Sequence, residues 1–195
     1  MKIYKKAFTV VELLVSTTII TLILSVVLWN YGGFNDELAL SAAAQELAID
    51  IREAQTYGIN VKESSASSGQ FNYGYGIHII AGGTGYRTFI DNNPANNQYE
   101  PVSGCGIAPT ECMRRVDFRN GVLVTNVCDA ITCPAAGASR MNIVFIRPNP
   151  DAIIYFASGL NNFGPAVTSA RIQLTSPKGK IKYVSIESTG QVSIQ

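Results

Sequence analysis

Histidine is almost missing from this chain: His78 is the only one in 195 residues. That excludes the His pairs on which many zinc and transition-metal centres rest. Charge is thin as well, at 15% of residues, and neither sign dominates, the formal net charge being +1. Without Lys2, Lys5 and Lys6 the 15 basic residues fall to 12 against 14 acidic ones. No overall field therefore draws the remainder toward nucleic acid. Catalytic signatures are equally scarce. The stretch "ASGL" around Ser158 lacks the flanking glycine of a nucleophile elbow. "GGTGYR" (82–87) has glycines but no phosphate-binding lysine, and reads as a hairpin turn. His78 lies in a strand-like run and reads as structural. The Asp/Asn-rich "DNNPANNQYE" (91–100) offers Asp91 and Glu100, oxygen donors suited to calcium, yet without the spacing of a calcium loop it reads as solvated. No enzyme, no metal centre and no cofactor is expected.

Charge is scarcest near the start. Lys2, Lys5 and Lys6 precede a run from Ala7 to Trp29 whose single ionisable residue is Glu12. At 1.5 Å per residue this run makes a helix of roughly 34 Å, enough to cross a bilayer core. The basic flank places the N-terminus in the cytoplasm and everything after Trp29 outside it. A secretory signal would have a shorter apolar core and a small-residue cleavage site; "NYGGFNDEL" follows instead, so the helix is expected to stay attached.

The helical signal pauses at Gly32-Gly33 and resumes after Asn35 or Asp36, either of which suits an N-cap. Beyond it Leu40, Ala43, Ala44, Leu47, Ile51 and Ala54 recur every three or four residues, with Glu37, Glu46, Asp50 and Glu53 mainly between them. That is an amphipathic helix with a narrow apolar face, and Gly58 is a fitting C-cap.

After a polar loop at 63–70 the pattern turns to strands at 73–80, 86–90, 121–127, 141–146, 152–157, 170–175, 180–187 and 191–195, punctuated by turns. The fold class is α+β: a long N-terminal helix, one half for the membrane and one amphipathic, packed on an antiparallel β-sheet domain. Cys105, Cys112, Cys128 and Cys133 fall in the exported part, in an insert at about 91–135. Four cysteines outside the cytoplasm read as two disulfides. Of three connectivities the local one, Cys105–Cys112 with Cys128–Cys133, is preferred; each short loop then contributes about 2–2.5 kcal/mol. The cations Arg171, Lys178, Lys180 and Lys182 gather around one C-terminal hairpin, where they read as a solvated edge guarded by lysines.

The stretch "KKAFTVVELLVSTTIITLIL" resembles the N-terminus of type IV pilins and type II secretion pseudopilins. There, basic residues and a small residue precede a phenylalanine, with glutamate one turn into the apolar helix; here these are Lys5-Lys6, Ala7, Phe8 and Glu12. The small residue is usually glycine, and the proline kink familiar from such helices is missing. The alanine-rich helix, "YGYGIHI", "IVFIRPNPD" and "IKYVSIESTGQVSIQ" follow an order similar to the minor, GspH/FimT-like members. The resemblance implies that 1–7 is a leader, 8–31 the transmembrane and assembly half of the helix, 34–58 its amphipathic half, and 59–195 an exported globular domain. It implies cleavage between Ala7 and Phe8 by a prepilin peptidase and N-methylation of Phe8. The implied partners are other pilin or pseudopilin subunits and an inner-membrane assembly platform. The chain would sit in the cytoplasmic membrane, then in a cell-surface or periplasmic filament. Glu12 would meet a terminal amine, its own or a neighbour's. Two other readings stand beside this one. In one, a minor pilin contacts DNA through Arg171, Lys178, Lys180 and Lys182; in the other, an envelope protein crosses the membrane once and is never processed.

Overall fold

A computed structural model describes residues 8–60, 73–92, 96–100, 105, 110–159 and 163–195, with side chains throughout except at 30–33. Among the described residues one helix, α1 (Val10–Ile59), leads into nine strands: β1 (Gly74–Ile80), β2 (Gly85–Asp91), β3 (Cys112–Asp117), β4 (Leu123–Cys128), β5 (Arg140–Phe145), β6 (Ala152–Ala157), β7 (Ser169–Thr175), β8 (Ile181–Glu187) and β9 (Val192–Ile194). They form two antiparallel sheets, ordered β3-β2-β1-β5-β6 and β4-β7-β8-β9. The class is α+β, as the periodicity predicts.

The apolar face of α1 lies over both sheets. Leu40, Ala43, Ala44, Leu47, Ile51 and Ala54 are all buried, meeting Ile77, Ile79, Met141, Ile143 and Phe145 of the first sheet and Ile172, Leu174, Val184 and Ile186 of the second in one core. Small residues on the helix bring its backbone close to the strands. Each fully buried Leu or Ile contributes about 1.5–3 kcal/mol by leaving water. The sheets also join directly: the β1–β2 turn exchanges backbone bonds with β4, Gly82 N–H to Val124 O at 2.7 Å and Val124 N–H to Gly83 O at 2.9 Å.

Three expectations fail for identifiable reasons. The helix does not stop at Gly32-Gly33; α1 is a single element of 50 residues. Asp36 caps nothing, since it accepts from the Ser176 hydroxyl, and Lys180 Nζ reaches Glu37 at 2.6 Å. Together these bonds dock the β7–β8 turn against the middle of the helix, which the sequence pattern of either segment alone does not reveal. Nor is Gly58 the cap; the helix ends at Asn60. Gly58 is needed because α1 passes so near β5 that an added Cβ would lie 2.5 Å from the Phe145 carbonyl oxygen.

The strand pattern misses β3, whose "CMRRVD" has two consecutive arginines and no clean alternation. It forms because β2 supplies a pairing partner, with a register shift between Thr88 and Phe89. So the stretch about 91–135, expected to be an insert, holds β3 besides the strand expected at 121–127, which is β4.

Candidate functional site

The most unusual surface is the first half of α1. Thr9 caps it, its hydroxyl accepting from the Glu12 N–H at 3.2 Å. Thr9-Val10-Val11-Glu12 is the T-x-x-E spacing of a capping box, a signal readable in the sequence that marks where the helix begins. Phe8 is 69% exposed and Trp29 91%, and the large apolar residues between them stay more than half exposed. The most apolar window has a mean hydropathy of 2.4, and none of it is buried.

Polar groups in this run do not oppose a lipid environment. The hydroxyls of Ser16, Thr17, Thr18, Thr21 and Ser25 each donate to the carbonyl one turn earlier, at 2.7–3.0 Å. With backbone and hydroxyl bonds closed within the helix, the segment meets the requirement for a polar group in hydrocarbon. Glu12 is the one ionisable side chain of the run. It lies in the first turn, where the helix dipole favours an anion.

Against protein-family models, curated proteins and solved structures, the chain finds no match.

Of the residues singled out by sequence, Ala7 lies outside the described residues. Phe8 and Glu12 stand one turn apart at the exposed start of the helix. The cysteines pair as Cys105–Cys112 and Cys128–Cys133. Cys105 and Cys112 pack with Phe89, Tyr99 and Val144 on the face of the first sheet turned away from α1. The other bridge joins the end of β4 to the loop behind it.

The four C-terminal cations do not share one surface. Arg171 lies opposite Ser185 and Lys182 opposite Leu174, so the alternation of β7 and β8 sends them to opposite faces. Arg171 donates to the Asp129 carbonyl at 3.3 Å and stands over the Tyr183 ring. Lys180 holds Glu37, whose carboxyl is lowered by that bond. Lys178 lies exposed in the turn.

Two polar clusters join segments distant in sequence, and the second corrects the reading of 91–100 as solvated, since Asp91 is buried. On α1, Asp50 is buried; it accepts from the Tyr86 hydroxyl and from Arg114 of β3, each at 2.7 Å. Burial and the bond to Asp50 raise the Tyr86 phenol. Here α1 is latched to the edge of the first sheet beside a cavity of about 290 Å³.

The second cluster joins Asp91 and Glu100 to Glu111, with carboxylate oxygens within 4.8 Å of one another. Backbone N–H groups hold most of them: Asn96 and Asn97 donate to Asp91, and Glu100 to Glu111. Glu100 Oε1 accepts from Asn96, while its Oε2 is buried without a partner among the described residues. Burial first, and then Glu100, raise the Asp91 carboxyl, whose backbone bonds pull the other way. A raised acid opposes folding once pH rises through its folded-state pKa, and the penalty disappears below the unfolded value. Glu100→Gln keeps one acceptor, removes a like charge and adds a donor. It is expected to stabilise the fold by about 1 kcal/mol at neutral pH, or about 2–4 °C in a thermal melt. The gain should shrink on acidification; a lower melting temperature at pH 7 would contradict the crowding.

Proposed function

We propose that this chain is a prepilin-like structural subunit, a minor pilin or pseudopilin, anchored by the first half of α1 until it joins a filament. The supporting observation is the helix itself. A run from Phe8 to Trp29, wholly unburied and strongly apolar, continues without interruption into a half that is packed on the globular domain. So large an apolar surface is unstable in water and requires lipid or other helices around it. Because one continuous helix holds both halves, a subunit leaving the membrane carries its β domain along. The two disulfides suit a domain on the oxidising side.

In this reading a prepilin peptidase cuts before Phe8, creating an ammonium that stays cationic after N-methylation. Other subunits then exchange helix contacts with α1 at an inner-membrane assembly platform. The role is mechanical, in priming, tipping or decorating the filament, with the β domain outward.

The test is N-terminal peptide mass of the membrane-extracted full chain, with and without a co-expressed prepilin peptidase. A mature chain starting at methylated Phe8 is expected only with the peptidase. A chain still carrying 1–7 beside active enzyme would favour a plain single-pass anchor.

A further inference from the structure

His78 is 1% exposed, on the face of β1 opposite α1. Its register partners are Arg87 on β2 and Asn142 on β5, and the Tyr99 ring lies at 4.7 Å. Asn142 Oδ1 as placed lies 2.6 Å from His78 Nδ1; we assign the amide the other way round, its nitrogen donating to Nδ1 and its oxygen accepting the Tyr99 N–H at 3.0 Å. The reverse orientation would set the amide NH₂ against that N–H, donor to donor. A neutral imidazole that accepts at Nδ1 carries its proton on Nε2. Burial lowers the ring from its ordinary value to about 4; the contact with Asn142 pulls the other way and the positive charges of Arg140 and Arg87 add to the lowering, so it is neutral at pH 7. Its Nε2 therefore presents a buried N–H, and no described residue accepts from it.

His78 is also a wall of a cavity of about 220 Å³ beside the β1–β2 turn, with Thr84, Arg87, Arg115 and Asp117 among the others. The acid there is already engaged: Arg115 and Thr84 both bond Asp117, at 2.8 and 3.2 Å. Arg87 is half-buried and has no ion pair among the described residues, and Arg140 adds positive potential from β5. Cations meet guanidinium groups here, and a metal at Nε2 would first have to displace a proton. What suits an N–H donor flanked by a planar guanidinium is an acceptor with several negative oxygens.

We propose that this cavity binds a compact oxyanion, the phosphate or carboxylate group of a small molecule. Arg87 is its clamp and the His78 Nε2–H its buried donor. The site lies on the globular domain and is independent of how α1 assembles.

One histidine makes the test direct. The full chain, labelled with ¹⁵N-histidine in a neutral detergent, shows a single imidazole, which is followed while inorganic phosphate or acetate is added at pH 7 and constant ionic strength. A saturable shift at Nε2 is expected, with apparent dissociation constants near the millimolar range. The phosphate arm and the acetate arm show whether the cavity prefers a tetrahedral or a planar oxyanion. Arg87→Gln should weaken binding at least about tenfold while leaving the melting temperature and the Nδ1 signal unchanged. Arg87→Lys, a milder change, should weaken it less, since charge remains and the fork is lost. No shift at about 10 mM of either anion would overturn the proposal, and so would equal binding by folded Arg87→Gln or Arg87→Lys.

Discussion

On the proposed filament-subunit reading, Glu12→Gln is expected to leave the chain in the membrane with its helix capped, yet to cut recovery in assembled filaments at least about tenfold, equivalent to ~1.4 kcal/mol. The reason lies in two separable roles at one residue. Its backbone N–H bonds Thr9 at the helix start, and glutamine serves as well as glutamate at that position of a capping box. Its charge is another matter. An acid in the apolar run costs up to about 2.5–3.5 kcal/mol at mid-helix and less near an end. An ion pair at ~4 Å in an effective dielectric of ~20 recovers about 4 kcal/mol, so a nearby ammonium makes the charge tolerable and gives it direction. Glutamine keeps the cap and could not form the proposed pair. Normal filament recovery for Glu12→Gln, with loss only for Thr9→Ala, would assign the residue to helix capping alone. Filament recovery is read by immunoblot of sheared fractions against membrane-retained protein.

Gly58→Ala is expected to destabilise the fold by about 1–3 kcal/mol, the range for forcing a methyl into a packed interior. Helix propensity alone argues the reverse, a gain of about 1 kcal/mol. Geometry decides between them. The new Cβ would lie 2.5 Å from the Phe145 carbonyl oxygen, 2.7 Å from its Cβ and 2.8 Å from its carbonyl carbon. Two of these are backbone atoms of β5, an interior strand bonded on both sides, so they cannot swing aside. The expected melting temperature falls by about 2–4 °C for each kcal/mol. A rise would mean that the end of α1 drifts off β5 without penalty.

These two positions also separate what the sequence determined alone from what the tertiary structure decided. Local signals carried the long helix, its buried positions Leu40 to Ala54, eight of the strands and the unburied apolar start, because each is a matter of period or run length within a short window. The T-x-x-E cap at Thr9 was equally local and readable. Local signals could not show that the helix runs through Gly32-Gly33. Bonds from Asp36 and Glu37 to the β7–β8 turn fasten the helix just beyond the glycines, from about 140 residues away in sequence. Nor could they show β3, which exists as a strand because β2 offers an edge, or the meeting of Glu111 with Asp91 and Glu100. Gly58 looked like a terminator; it is a point of contact. His78 looked like a lone structural histidine, and only the sheet register sets it between Arg87 and Asn142 with a ring nitrogen to spare. Periodicity reports which face of an element is apolar. Which charged and polar groups converge on one spot depends on register and on contacts between distant segments, and those arise only when the chain folds.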